Sequence, residues 1–137
     1  MSEQSAAIEA ISTYYAAFNN KDWQGMLASL TDDIHHNVNE GGERGGKAKF
    51  SEFLAHMDDC YDETLTDMVV MATADGTRGS AEFIVNGTYK KTDGDLPEAK
   101  GQTYRLPAGA FMELVDGKIR RVTTYYNLAE WIRQVSA

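Results

Sequence analysis

The sequence predicts an α+β fold in which helices cover one face of a curved antiparallel sheet. Three observations lead there. Apolar residues at helical spacing fill the first part of the chain, β-branched and aromatic residues broken by Asp-Gly turns follow, and an amphipathic stretch closes it. At 137 residues, 42% hydrophobic and 25% charged, the chain has the size and composition of a single domain, 1–137.

Ile8, Ile11, Tyr14, Tyr15 and Phe18 recur at helical spacing and describe a long first helix with an aromatic-rich face. Asp22 is placed to cap a second, shorter helix whose stripe is Trp23, Met26, Leu27 and Leu30. Ile34–Val38 reads as a short strand. A glycine-rich turn at 41–46 and a third helix carrying Phe50, Phe53, Leu54, Met57 and Tyr61 come next. Turns at Asp75-Gly76, Asp93-Gly94 and Asp116-Gly117 then separate four strands, Leu65–Thr73, Gly79–Lys91, Gln102–Val115 and Lys118–Tyr126, the last two joined by a two-residue hairpin. Asn127 and Glu130 form a capping-box pattern ahead of a closing helix with the stripe Leu128, Trp131, Ile132 and Val135. Helices on one face of a curved meander give the α+β class.

The charge balance of 13 basic against 21 acidic residues, net −8, makes nucleic acid and anionic membrane surfaces poor partners. No apolar run reaches the length of a membrane span, and Met-Ser-Glu-Gln-Ser lacks the basic start and apolar block of a signal peptide, so a cytoplasmic protein is expected. Cys60 is the only cysteine, which excludes an internal disulfide and a thiolate cage.

Residues 41–47 match the spacing of a phosphate loop, but Ala48 stands where a magnesium-binding hydroxyl is needed and Glu43 would place a negative charge in the cradle. His35 and His36 are adjacent on a strand and point to opposite faces, and His56 beside Asp58 and Asp59 reads as a solvated helix face. No metal and no cofactor are therefore expected. Tyr14 shares the inner face of the first helix with Ile11 and Phe18, where its hydroxyl needs a partner that a ligand oxygen could supply. Strand parity sets Ile34, His36 and Val38 against His35, Asn37 and Asn39, so the pocket sees either a histidine or an asparagine. In the last strand Arg120, Val122, Thr124 and Tyr126 oppose Ile119, Arg121, Thr123 and Tyr125, and both faces carry apolar side chains. That pattern predicts a homodimer through the outer face of the sheet.

Tyr14-Tyr15-Ala16-Ala17-Phe18-Asn19 with Asp22 and Trp23, Leu30-Thr31-Asp32-Asp33, Leu106-Pro107-Ala108-Gly109-Ala110-Phe111 and Tyr125-Tyr126-Asn127 together carry a resemblance. Over nearly its whole length the chain resembles the SnoaL-like and ketosteroid-isomerase-related branch of the nuclear transport factor 2 superfamily. The resemblance implies an NTF2-like (cystatin-like) cone with an apolar pocket, usually dimeric through the sheet. It also implies that Tyr14 stands where the isomerase tyrosine donates to the substrate oxygen. Gly109 falls where the second oxyanion donor, a protonated aspartate, belongs, and the general-base aspartate falls at Asn37 or Val38. Neither can act as those aspartates do, which argues against ketosteroid isomerisation.

Function is then expected to be acid/base chemistry on a small apolar carbonyl or polyketide-like compound, with His36 as base and Tyr14 and Asn37 as hydrogen-bond donors. The alternative is a noncatalytic small-molecule-binding or dimerisation module. In either case the expected lining is Phe18, Asn39, Phe53, Met57, Phe83, Gly109, Phe111, Val122, Thr124 and Tyr126.

Overall fold

A computed structural model describes residues 2–137. Its elements are α1 (Glu3–Asn19), α2 (Trp23–Ala28), β1 (Leu30–Val38), β2 (Arg44–Gly45), α3 (Lys47–Cys60), β3 (Tyr61–Ala72), β4 (Arg78–Tyr89), β5 (Thr103–Val115), β6 (Lys118–Tyr126) and α4 (Leu128–Ser136). The six strands form one sheet in the order β2-β1-β6-β5-β4-β3, with β1 and β6 parallel and every other neighbour antiparallel. The α+β class and the curved sheet are as the sequence predicts.

Local chemistry starts and stops these elements. The Asp22 side chain accepts from the Gly25 N–H to cap α2, and Asn127 accepts from the Glu130 N–H to cap α4. Only half of the expected capping box forms, because the Glu130 carboxylate turns to Arg133 and Gln134. Asp116 and Gly117 both take positive φ, 49° and 76°, the geometry a two-residue hairpin requires between right-twisted strands.

Two boundaries move. Leu30 begins β1 opposite Ile119 instead of ending α2, and Tyr61 begins β3 opposite Tyr89 instead of ending α3. Both side chains are buried, so helical and strand spacing predict the same inward residue and only backbone pairing decides between them. The glycine-rich turn holds a two-residue strand in which Arg44 and Gly45 pair with His36 and His35. A register shift between Glu113 and Leu114 gives β6 an extra residue, so Ile119 and Val122 both face inward.

The concave face of the sheet is covered by α1, whose Ile11, Tyr14 and Tyr15 pack with Leu30 and Ile34 of β1, Phe50 and Leu54 of α3, and Met112, Leu114, Ile119 and Val122 of β5 and β6. A second cluster, Cys60, Tyr61, Tyr89, Tyr104, Leu106, Trp131 and Val135, closes the far end beneath α4. The convex face keeps a row of exposed apolar side chains, Val69, Met71, Phe111 and Tyr125, with the last two edge to face at 6.0 Å.

Gly87 sits directly opposite Tyr104, and a Cβ there would overlap the tyrosine ring. Gly87→Ala is expected to destabilise the protein by about 1–3 kcal/mol through forced repacking, seen as a lower urea midpoint at unchanged slope. An unchanged midpoint would mean that Tyr104 is free to swing aside.

Candidate functional site

Between the two core clusters lies a cavity of about 200 Å³. That volume exceeds the roughly 150 Å³ that admits benzene and falls short of the ~300 Å³ at the low end of drug-sized sites. It suits a molecule of about one ring. Tyr14, Tyr15 and Phe18 of α1 form its roof, Leu54 and Met57 of α3 one side, and the inner faces of β3 to β6 the floor, with Trp131 of α4 at the end.

The polar groups on this wall are few and their environments differ. Tyr14 and Tyr15 meet edge to face at 4.9 Å, and burial raises the pKa of both phenols, so both remain protonated donors. Glu63 of β3 receives a hydrogen bond from the Tyr104 hydroxyl at 2.5 Å. Burial pushes the Glu63 carboxyl up from its ordinary range, while that hydrogen bond and the charge of Lys21 pull the other way and lose. Tyr104 is held protonated by burial and by Glu63 itself. Farther along, the Tyr61 hydroxyl donates to Asp93 Oδ2 at 2.7 Å. The site thus offers two carboxylates, Glu63 and Asp93, of which Glu63 is raised in basicity by burial, among tyrosine donors in a largely apolar chamber.

Of the residues expected from the sequence, Tyr14, Phe18, Met57, Phe83, Thr124 and Tyr126 line this cavity. The others do not. His36 does face inward, as the parity of Ile34, His36 and Val38 allows, but its ring is held between Phe50 at 4.8 Å and Phe53 at 4.6 Å, off the cavity wall. Its buried Nδ1 has no hydrogen-bond partner, and burial followed by the nearby Arg44 lowers its pKa to about 4. Arg44 lies over the Phe53 ring at 4.4 Å, so Phe53 belongs to that aromatic slot, and Val122 is core beside it.

Asn37, Gly109 and Phe111 sit on the convex face, a correction that follows from strand alternation. Asn37 pairs with Thr123, Gly109 lies between Glu82 and Tyr125, and Phe111 is 54% exposed. Asn39, at φ 51°, serves the backbone: its N–H donates to Thr124 O and its Oδ1 accepts from the Tyr126 N–H, both at 2.8 Å. It thereby fixes Thr124 and Tyr126, which do face the cavity.

Glu63 and Tyr104 carry a signal that the predicted strand bounds conceal. With β3 beginning at Tyr61, alternation places Tyr61, Glu63 and Leu65 on one face, and a carboxylate between two buried apolar residues marks itself. A third histidine also finds unexpected company. His56, Cys60 and Asp93 bring their donor atoms within 4.8 Å of one another at the edge of the site.

The SnoaL-like domain profile matches residues 11–122. A crystal structure of a candidate polyketide cyclase from a Silicibacter species is 57% identical, with a TM-score of 0.95 and 98% of each chain covered. Another from Xanthomonas campestris pv. campestris is 51% identical, with a TM-score of 0.94, covering 98% of this chain and 99% of that one. An LEH-like epoxide hydrolase from M. tuberculosis shares the fold at 16% identity and a TM-score of 0.76, covering 99% of this chain and 89% of its own. The comparison with curated proteins finds no match. Among the described residues no helix is long and apolar enough to cross a membrane. A profile match over most of the chain, with relatives more than half identical along nearly their full length, makes this chain a member of the SnoaL-like domain family, on the NTF2-like fold.

Proposed function

We propose that the protein is an acid/base enzyme acting on a small, largely apolar carbonyl compound, of the polyketide-like class that its relatives' names suggest. The observation that carries this reading is Glu63, a carboxylate of raised pKa on the wall of an apolar cavity that also presents the Tyr14 hydroxyl. A carboxylate shifted toward neutrality is a stronger base than one in water, and an enclosed site keeps its strength from being screened. Glu63 takes a proton from the carbon next to the carbonyl, the charge moves to the carbonyl oxygen, and Tyr14 donates a hydrogen bond to that oxygen. Such a bond contributes about 3 kcal/mol to the transition state. Glu63 then returns its proton, either to another carbon of the enolate or to the alkoxide formed when the enolate carbon attacks a second carbonyl of the same molecule and opens its C=O π bond. His36, neutral in its aromatic slot, supports the shape of the site instead of serving as base. Cys60 as a free thiol accords with a reducing, cytoplasmic setting.

Deuterium exchange at the α-carbon of a panel of one-ring and short-chain diketones, read by mass spectrometry, tests proton abstraction whatever product the enolate goes on to form. Glu63→Gln is expected to lower the exchange rate by about 10²–10⁴-fold. Stability moves the other way. A carboxyl whose pKa is higher folded than unfolded binds its proton more tightly in the native state, so stability falls as pH rises from the unfolded pKa through the folded one. Glu63→Gln removes that loss, and at pH 7 the variant melts no lower than the parent. Exchange by the parent rises with pH through the Glu63 pKa, and Tyr104→Phe, which deletes a bond favouring the charged form, moves the inflection higher. Saturable binding without exchange above buffer would establish the binding-module alternative.

We further infer that two copies associate through the convex face, where Val69 (46%), Met71 (52%), Phe111 (54%) and Tyr125 (38%) leave large apolar side chains open to water. Sedimentation velocity of the parent is expected to give a dimer and Phe111→Glu a folded monomer. A monomeric parent overturns the interface.

A further inference from the structure

The geometry points to a binding site for a divalent transition-metal ion of the zinc type, formed by His56, Cys60 and Asp93 where the end of α3 meets the loop at 90–102. His56 and Cys60 are four residues apart on α3, so their side chains stack on one face a turn apart. Asp93 arrives from the loop after β4. Its Oδ1 stands 2.7 Å from His56 Nε2, Cys60 Sγ stands 4.0 Å from the same nitrogen, and all three donor atoms lie within 4.8 Å of one another. In a tetrahedral zinc site with bonds of roughly 2.0–2.3 Å, neighbouring donors are about 3.5 Å apart. An ion is therefore accommodated by small opposite movements, the carboxylate away from the imidazole and the sulfur toward it.

The donor set narrows the ion. One imidazole nitrogen, one sulfur and one carboxylate oxygen suit zinc and its borderline neighbours, and suit magnesium or calcium poorly, since those take oxygen. The same geometry separates this reading from a nucleophilic relay. A Cys-His-acid relay needs the thiol and the carboxylate on opposite ring nitrogens, whereas here both approach Nε2 and so converge on one point. Asp58 and Asp59, the acids nearest in sequence, do not join the cluster of His56, Cys60 and Asp93, and the Asp59 carboxylate is taken by Lys91 Nζ at 2.8 Å.

The surroundings orient the carboxylate for such a role. Tyr61 donates to Asp93 Oδ2 at 2.7 Å, which leaves Oδ1 for an ion, and the Asp93 N–H donates to the Tyr89 hydroxyl at 2.9 Å, which itself donates to the Pro97 carbonyl at 2.6 Å. On binding, the Cys60 S–H bond breaks, its proton passes to solvent and the sulfur pair forms the metal bond; water takes the fourth position. Asp93 and Tyr61 also line the cavity, so the ion would pin the 90–102 loop to α3 and hold that end of the chamber closed.

The chain's single cysteine makes the test sharp. Chelator-treated full-length protein is titrated with Co²⁺ under reducing conditions, then with Zn²⁺. The expected result is a near-ultraviolet sulfur-to-cobalt charge-transfer band that Zn²⁺ bleaches, together with a rise in melting temperature; at a hundredfold excess of Zn²⁺ over Kd the folded-to-unfolded ratio rises about 100-fold. Cys60→Ser abolishes the band. His56→Ala, at an exposed position, and the isosteric Asp93→Asn keep the fold and weaken Co²⁺ binding at least tenfold, while Tyr61→Phe weakens it by about tenfold. Absence of the band in the parent, or unchanged Co²⁺ affinity in both His56→Ala and Asp93→Asn, overturns the site.

Discussion

Everything in this molecule is arranged around covering the stripe Ile11, Tyr14 and Tyr15 on α1. A single helix cannot bury both sides of such a stripe against a flat sheet, so the sheet bends around it and α3 covers what remains. Each fully buried large side chain contributes roughly 1.5–3 kcal/mol, and the stripe is buried almost without remainder. The same wrapping creates the cavity. Near the C-terminal end of α1 the space between helix and sheet is left open, and the aromatic cluster of Tyr61, Tyr89, Tyr104 and Trp131 closes the far end without filling it.

Placing Glu63 in that space works against stability, because a carboxylate away from water favours its neutral form. Its hold on the site depends on Tyr104, and Tyr104 depends on the bare backbone at Gly87 that lets its ring lie flat across β4. Tyr104 is in turn packed against Trp131 at 5.9 Å, so the closing helix α4 reaches the carboxylate through one ring. The carboxylate is thus positioned by groups on four separate elements, β3, β4, β5 and α4. This chain of support runs through the single Tyr104 ring, and the proposed acid/base role depends on it, since a rate advantage of that kind needs geometry held to a fraction of an ångström.

The sequence states most of the fold because its signals are local. Asp116-Gly117 fixes a hairpin, Asp22 and Asn127 fix two helix starts, and the switch from helical to alternating spacing fixes the class. What it conceals are positions where two periods give the same answer. Leu30 and Tyr61 are inward under either, and the second ambiguity hides Glu63, whose partner face is visible only once the strand begins at Tyr61. The fate of Phe111 turns on parity in β5: Tyr104, Leu106, Ala108, Ala110 and Met112 face inward, and an aromatic ring one residue out of step faces solvent. His36 shows the reverse difficulty, for its parity is right and its neighbours, Phe50 and Phe53, come from another element. Asp93 is legible only as a turn residue, because its partners are 32 and 37 positions away in the chain.

The composition of the cavity wall also limits what can enter. Its ionisable lining consists of carboxylates and phenols, with no lysine, arginine or histidine among the lining residues, and the chain as a whole carries a net charge of −8. A carboxylate or phosphate on the ligand would find no counter-charge there and would face the field of Glu63 and Asp93 at low dielectric, where like charges repel by far more than in water. A cation would meet attraction but would have to shed its water in a chamber that is mostly hydrocarbon. Neutral oxygenated molecules escape both penalties: the tyrosine hydroxyls supply donors for their oxygens, and the apolar floor covers the rest. Tyr104 and Tyr61 are already committed to Glu63 and Asp93, so in the reaction proposed above it is Tyr14 that is left to meet the negative charge developing on the oxygen of a neutral substrate.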